Sequence, residues 1–253
     1  MHRLIAFAVL AFTLASAHAL SERELASIGQ RVWQNECGGT RDGLTSWNSG
    51  EAFASLGIGH FIWYPKGERG PFEESFPALV RYLSANGANV PAWLKSAPPC
   101  PWRTRAEFLS AAKGRQMSEL RDLLASTVAL QSRFLAQRME SALPKLLAAT
   151  SANRRAQVKR QFEKLAASGK GTFALIDYVN FKGEGTNPTE RYNGRGWGLL
   201  QVIEGMGEDE AVADSFASSA ARVLSQRVKN SPPERDEAKW LPGWVRRVEA
   251  YSR

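Results

Sequence analysis

One block of this sequence is unlike the rest and limits the folds open to the chain. From Leu44 to Pro65 it runs LTSWNSGEAFASLGIGHFIWYP, with five aromatic residues set around Asn48-Ser49-Gly50 and Gly57-Ile58-Gly59-His60. Aromatic and β-branched residues separated by turn formers read as a small hairpin or three-stranded meander. Almost everything else carries helical spacing. The expectation is therefore an α+β fold, mainly α, with a small β-hairpin lobe over about 36–65 and a larger helical lobe. Such an insertion places a cleft between lobes, where ligands commonly bind.

The helical readings start at Ser21-Glu22-Arg23-Glu24, a capping box, followed by Leu25, Ile28 and Val32 on one face. Gly38-Gly39 stops this helix near Glu36. Pro77 to Leu83 fits a short helix, and Ser96 to Trp102 (SAPPCPW) fits a rigid loop. Thr104 to Glu107 is a second capping box. Met117, Leu120, Leu123 and Leu124 mark one face of a long helix reaching towards Leu143. Another helix is expected from Arg154 to Lys164. Phe173 to Val179 reads as a buried helix, apolar but for Asp177, which needs a partner if buried. Gly183 to Gly198 reads as a long loop. Helices follow from about Leu199 and Glu210, and a last one spans Trp240 to Tyr251.

The first nineteen residues have a basic start, His2-Arg3, an apolar run from Leu4 to Ala15, and Ala17-His18-Ala19 as a small-x-small cleavage pattern. That is the pattern of a secretory signal peptide, and the run is short for a membrane span. Residues 20–253 then form the folded domain, periplasmic or secreted, with no stable membrane span and expected to be a monomer. Exported cysteines can pair, so Cys37 and Cys100 are a possible disulfide. The formal net charge of +8 favours an anionic partner, and no nucleic-acid-binding motif appears. Two of the three histidines, His2 and His18, fall in the signal segment. With no Cys-x-x-Cys pair and no phosphate-binding loop, neither a metal nor a cofactor is expected.

Glu36 stands out among the titratable residues. It ends an apolar-faced helix beside Trp33 and Cys37, at the boundary with the β segment. Apolar surroundings raise a carboxyl pKa, which suits a general acid. The 183–198 loop carries Glu184, Glu190, Arg191, Tyr192, Arg195 and Trp197, with Gln201 just beyond. Tyr and Trp can stack on sugar faces, and Arg can hold a carboxylate or acetamido oxygen. The plainer reading is a long surface loop, but long loops inside compact domains are often functional.

The order helix, Glu36, glycines, hairpin and Ser55-Leu56-Gly57-Ile58-Gly59-His60 resembles the phage-type lysozymes, glycoside hydrolase family 24. ALIDYVNFKGEG (Ala174 to Gly185) is similar to that family's buried central helix. WLPGWVRRVEAY (Trp240 to Tyr251) is similar to its terminal Leu-Pro-Gly signature. The three matches fall in order across nearly all of residues 20–253, with extra chain between Pro65 and Arg115 and in the 183–198 loop. The resemblance implies a lysozyme-like fold and cleavage of β-1,4 links between amino sugars. Glu36 would take the place of the acid and Ser55 that of the Thr that positions water. His60 would hold the hairpin and border the substrate.

The second carboxylate departs from the family pattern. Ser49 stands where the family has Asp, so Glu51 is the candidate, with Asp42 a weaker one. The substrate class is peptidoglycan or a related amino-sugar polymer, with Glu184, Arg191, Tyr192, Trp197 and Gln201 as further binding candidates. The alternatives are a lytic transglycosylase, which needs one acid, a chitosanase- or chitinase-like enzyme, and a non-catalytic wall-binding protein.

Overall fold

The computed structural model describes residues 21–70, 72–208 and 211–253. The expected signal peptide, 1–19, lies outside the described residues. The fold is α+β and mainly α, eleven α-helices among the described residues around one three-stranded antiparallel sheet. In chain order these are α1 (Glu22–Cys37), β1 (Thr45–Ser46), β2 (Ala54–Leu56), β3 (Phe61–Trp63), α2 (Phe76–Ala85), α3 (Arg105–Ser110) and α4 (Arg115–Ser126). Then follow α5 (Val128–Glu140), α6 (Ala142–Ala149), α7 (Arg155–Ala166), α8 (Gly169–Lys182), α9 (Leu199–Glu204), α10 (Val212–Asn230) and α11 (Leu241–Glu249). Among the described residues, no helix is long and apolar enough to cross a membrane.

Helix α1 begins and ends where its sequence says. Ser21 Oγ accepts from the Glu24 amide at 3.3 Å, and Glu24 Oε2 accepts from the Ser21 amide at 2.9 Å. Gly38, at φ 61°, takes the left-handed conformation that closes the helix. The second capping box is only half formed. Thr104 Oγ1 accepts from Glu107 N–H, but Glu107 turns back to Arg103 N–H instead of Thr104 N–H.

The sheet has the order β1-β2-β3, with Thr45 opposite Leu56 and Ala54 opposite Trp63. Ala54, Leu56, Phe61 and Trp63 are buried; Ser55 shares its face with Ser46 and Ile62, both half-buried. Trp63 packs on Phe76 with ring centroids 4.8 Å apart, and its indole N–H donates to Pro98 O at 2.8 Å. That bond and Cys100 N–H to Tyr64 O tie the 96–102 loop to the sheet. The 57–60 turn seats on the helical lobe. Ile58 N–H donates to Gln131 Oε1 at 3.0 Å, and Gln131 in turn donates to Leu124 O and Thr127 Oγ1. Gly57 sits at φ 68°, and a Cβ there would come within 2.4 Å of Gln131 Oε1, so glycine is required.

Two expectations are corrected. The long helix towards Leu143 is three helices, α4, α5 and α6, with breaks at Thr127 and Ser141. Neither glycine nor proline marks the first break. The carbonyls at the end of α4 are taken instead by side chains, Asp122 O and Leu123 O by Ser126, Leu123 O by Thr127 and Leu124 O by Gln131. The Cys37–Cys100 disulfide is not formed; both thiols are free and buried. Cys37 Sγ donates to Gly57 O, while Cys100 bridges to Pro65, at the other end of the β2–β3 hairpin. One hydrophobic cluster runs through both lobes, from Leu25 and Leu56 to Leu175 and Tyr251.

Candidate functional site

Three elements converge on the last turn of α1. The 57–60 turn brings His60, α8 brings Asp177 and Asn180, and α11 brings Arg247. Helix α8 is buried along Gly171–Val179, and Asp177 has no exposed surface. The partner its burial demands is Arg247, whose Nε and Nη2 donate to Asp177 Oδ2 and Oδ1, each at 2.8 Å. Tyr251 O–H donates to Oδ2 at 2.5 Å. The Tyr251 hydroxyl is pushed well above its usual range, by burial first and by Asp177 next.

Arg247 is shared. Its Nη2 also donates to Glu36 Oε1 at 2.5 Å, and Asn180 Nδ2 donates to the same oxygen at 3.3 Å. The Glu36 side chain is 11% exposed. Its other oxygen, Oε2, lies 3.4 Å from His60 Nδ1. His60 is held at φ 47°, a conformation rare for a residue with a side chain. Burial lowers its pKa, Glu36 opposes that, and Arg247 adds to it. Glu36 is therefore at a lobe boundary, but its neighbours are charged and polar as well as apolar. His60 reaches Glu36 as well as closing the hairpin.

Glu51 is not in this cluster. Its carboxylate accepts from Asn48 Nδ2 at 3.1 Å, and its carbonyl accepts from Trp47 Nε1 at 2.8 Å. Burial raises its carboxyl pKa, against the lowering effect of the Asn48 bonds. Ser55 is 4% exposed at the centre of the sheet, and its carbonyl accepts from Ser46 Oγ. Asp42 faces Arg121 at 3.5 Å.

The 183–198 loop is fastened at several points. Gln201 spends both ends of its amide there, accepting from Gly198 N–H at 2.9 Å and donating to Gly185 O at 3.0 Å. Glu184 pairs with Lys145 at 2.7 Å. Trp197 and Tyr192 pack with centroids 4.6 Å apart, and the Arg227 guanidinium lies 4.2 Å from the Trp197 ring. Tyr192 O–H and a two-pronged Arg227 both donate to Glu237, whose side chain has no exposed surface. Arg191 is half-buried in the same loop. Two surface concavities of ≈ 470 and ≈ 620 Å³ lie along α4, by Pro91 and Glu119, and include no member of the Glu36 cluster.

Sequence reasoning named Glu36, His60 and Asp177 but not Asn180, Arg227 or Arg247 as members of these networks. A lone Asp in an apolar helix was the available signal that a cation must come to it; nothing local says which. Among the described residues, no group of three His, Cys, Asp or Glu side chains is placed to hold a metal ion. No protein-family model, curated protein or solved structure matches this chain.

Proposed function

We propose that this chain is an exported glycosidase of the lysozyme-like kind, cutting β-1,4 links between amino sugars of peptidoglycan. The observation that carries this reading is the Glu36 carboxylate at the junction of the sheet and the helical lobe. Its oxygens are inequivalent. Oε1 is occupied by Arg247 and Asn180, which leaves Oε2, beside His60, as the oxygen that can carry a transferable proton. As general acid, Glu36 would deliver that proton from Oε2 to the leaving glycosidic oxygen. Arg247 and Asp177 would fix the carboxyl against rotation, so the proton faces one way. Glu51, in the turn before β2, and Ser55, on β2, would position the attacking water. The net charge of +8 suits an anionic wall.

A second reading has its own support. Glu51 is engaged by Asn48 within its own turn, which leaves Glu36 as the carboxyl of the junction. One acid suffices for a lytic transglycosylase, in which the sugar's own hydroxyl replaces water. A chitinase- or chitosanase-like enzyme would differ in substrate. A protein that only binds the wall would have no reaction at all. Muropeptide analysis of purified sacculi separates these. Wild type should release fragments with new reducing ends, lost in both Glu36→Gln and Glu51→Gln. Anhydro-sugar ends that survive Glu51→Gln indicate the transglycosylase, and binding without release indicates the binder. Full activity in Glu36→Gln would remove Glu36 from the chemistry.

A further inference from the structure

Lys182, the last residue of α8, is a half-buried cation that no carboxylate among the described residues holds. Arg247 is committed to Asp177 and Glu36, and Arg227 to Glu237. No Asp or Glu among the described residues makes an ion pair with Lys182. Its ammonium lies instead over two aromatic faces, 3.5 Å from the Trp244 ring centroid and 3.9 Å from that of Phe181. The Arg247 guanidinium lies over the same Phe181 ring at 4.1 Å, so Lys182 and the cation that holds Glu36 share one aromatic residue. Glu190, close to Gly183 in the loop, bonds Asn187 instead.

The aromatic surface continues outward from this point. Trp244 stacks near Trp240 with centroids 6.1 Å apart, and Trp240 is 45% exposed. Lys182, Phe181 and Trp244 are each half-buried. Burial drives the Lys182 pKa well below the usual range, and Arg227 and Arg247 add to the effect against Glu237 and Glu36. An ammonium in that state gains from any anion that docks beside it.

We propose that Lys182, framed by Trp244 and Phe181, receives a carboxylate borne by the glycan strand, so that the site takes acidic amino-sugar polymers in preference to neutral ones. The exposed Trp240 ring would carry the apolar face of the sugar and Lys182 the charge. This rests on the reading of the Glu36 site as a glycan site. The carboxylate has two sources with one chemistry: the lactyl group where a sugar carries no peptide, and the free carboxyls of the peptide where it does, because the attached peptide takes up the lactyl carboxyl as an amide.

The test is a two-by-two comparison in the full-length protein. Binding to sacculi is measured for wild type and Lys182→Met, each carrying Glu36→Gln so that no strand is cut. The substrates are native sacculi and sacculi whose carboxyl groups have been amidated. Met keeps the aliphatic stem on Trp244, and Lys182→Arg is the charge-keeping control. Native sacculi should bind the Met variant about ten- to a hundredfold more weakly, as for loss of a charge-assisted contact. Amidated sacculi should bind both proteins alike, and the Arg variant should recover most of the affinity. Strands stripped of peptide, in which the lactyl carboxylates are freed, separate the sources: a retained difference shows that the lactyl carboxylate can serve, a lost one that the site requires the peptide's own carboxylates. Equal binding of native sacculi by the Met variant and its parent overturns the proposal. So does equal binding of native and amidated sacculi by the parent, a result that needs no variant to fold. Failure of the wild type to release fragments would count against the glycosidase, while the binding comparison would still decide the role of Lys182.

Discussion

Asp177 has no exposed surface and accepts two hydrogen bonds from Arg247 and one from Tyr251. Replacing it with Asn would leave a buried guanidinium with half its countercharge. Breaking a buried ion pair from one side commonly costs about 3–5 kcal/mol. Asp177→Asn should therefore lower the urea midpoint strongly, and it should also loosen Glu36, because Arg247 reaches that carboxylate only from its seat on Asp177. A midpoint within error of wild type would show that the pair contributes little. Part of this was legible from sequence, since a carboxylate in an apolar helix has to be paired. Arg247 itself was not legible. Arg246 stands next to it in the same basic pair, and only the approach of α11 to α8 makes one of them the partner.

At the scale of elements, the hairpin and the start and stop of α1 were readable because their signals are local. A glycine at φ 61° or a Ser-x-x-Glu box acts within one turn of chain. The break at Thr127 was not readable, because side chains within α4 and α5 cap the carbonyls where a helix usually ends on glycine. The 183–198 loop was placed correctly, but its fastening was not foreseen. Gln201 and Tyr192, read from sequence as substrate contacts, are tied to the loop and to Glu237. Burial alone would raise the Glu237 carboxyl pKa; the bonds from Arg227 foremost, with Tyr192 and Arg235, outweigh it and hold it below the usual range. A carboxylate lowered in the fold adds stability above its unfolded pKa of about 4.3, and that stability is lost as pH falls through the folded value. Urea midpoints from pH 6 to pH 3 should fall less steeply in Glu237→Gln than in wild type. Parallel curves would mean the anchor does not titrate.

Across the whole molecule, one hydrophobic cluster joins the sheet to the helices, and both cysteines lie in it. Burial pushes each thiol up to about 12, with the nearby Glu36 charge adding at Cys37. The thiolate is the reactive form, so both should resist alkylation at pH 8 in the native state. They should react together, in one transition, as the protein unfolds in urea. Intact mass after alkylation at each urea concentration measures this directly. Rapid labelling of either cysteine without denaturant would show that the cluster opens locally.

The junction that holds Glu36 also sets a time. Glu36 and Arg247 are 211 residues apart in the chain. At synthesis rates of about 5–20 residues per second, Arg247 is added roughly 10–40 s after Glu36. Over that interval α1 and the hairpin can form from local signals, but the arginine that fixes the carboxylate does not yet exist. The site is therefore complete only once α11 has been made and has folded onto α8, whatever the earlier elements have formed by then.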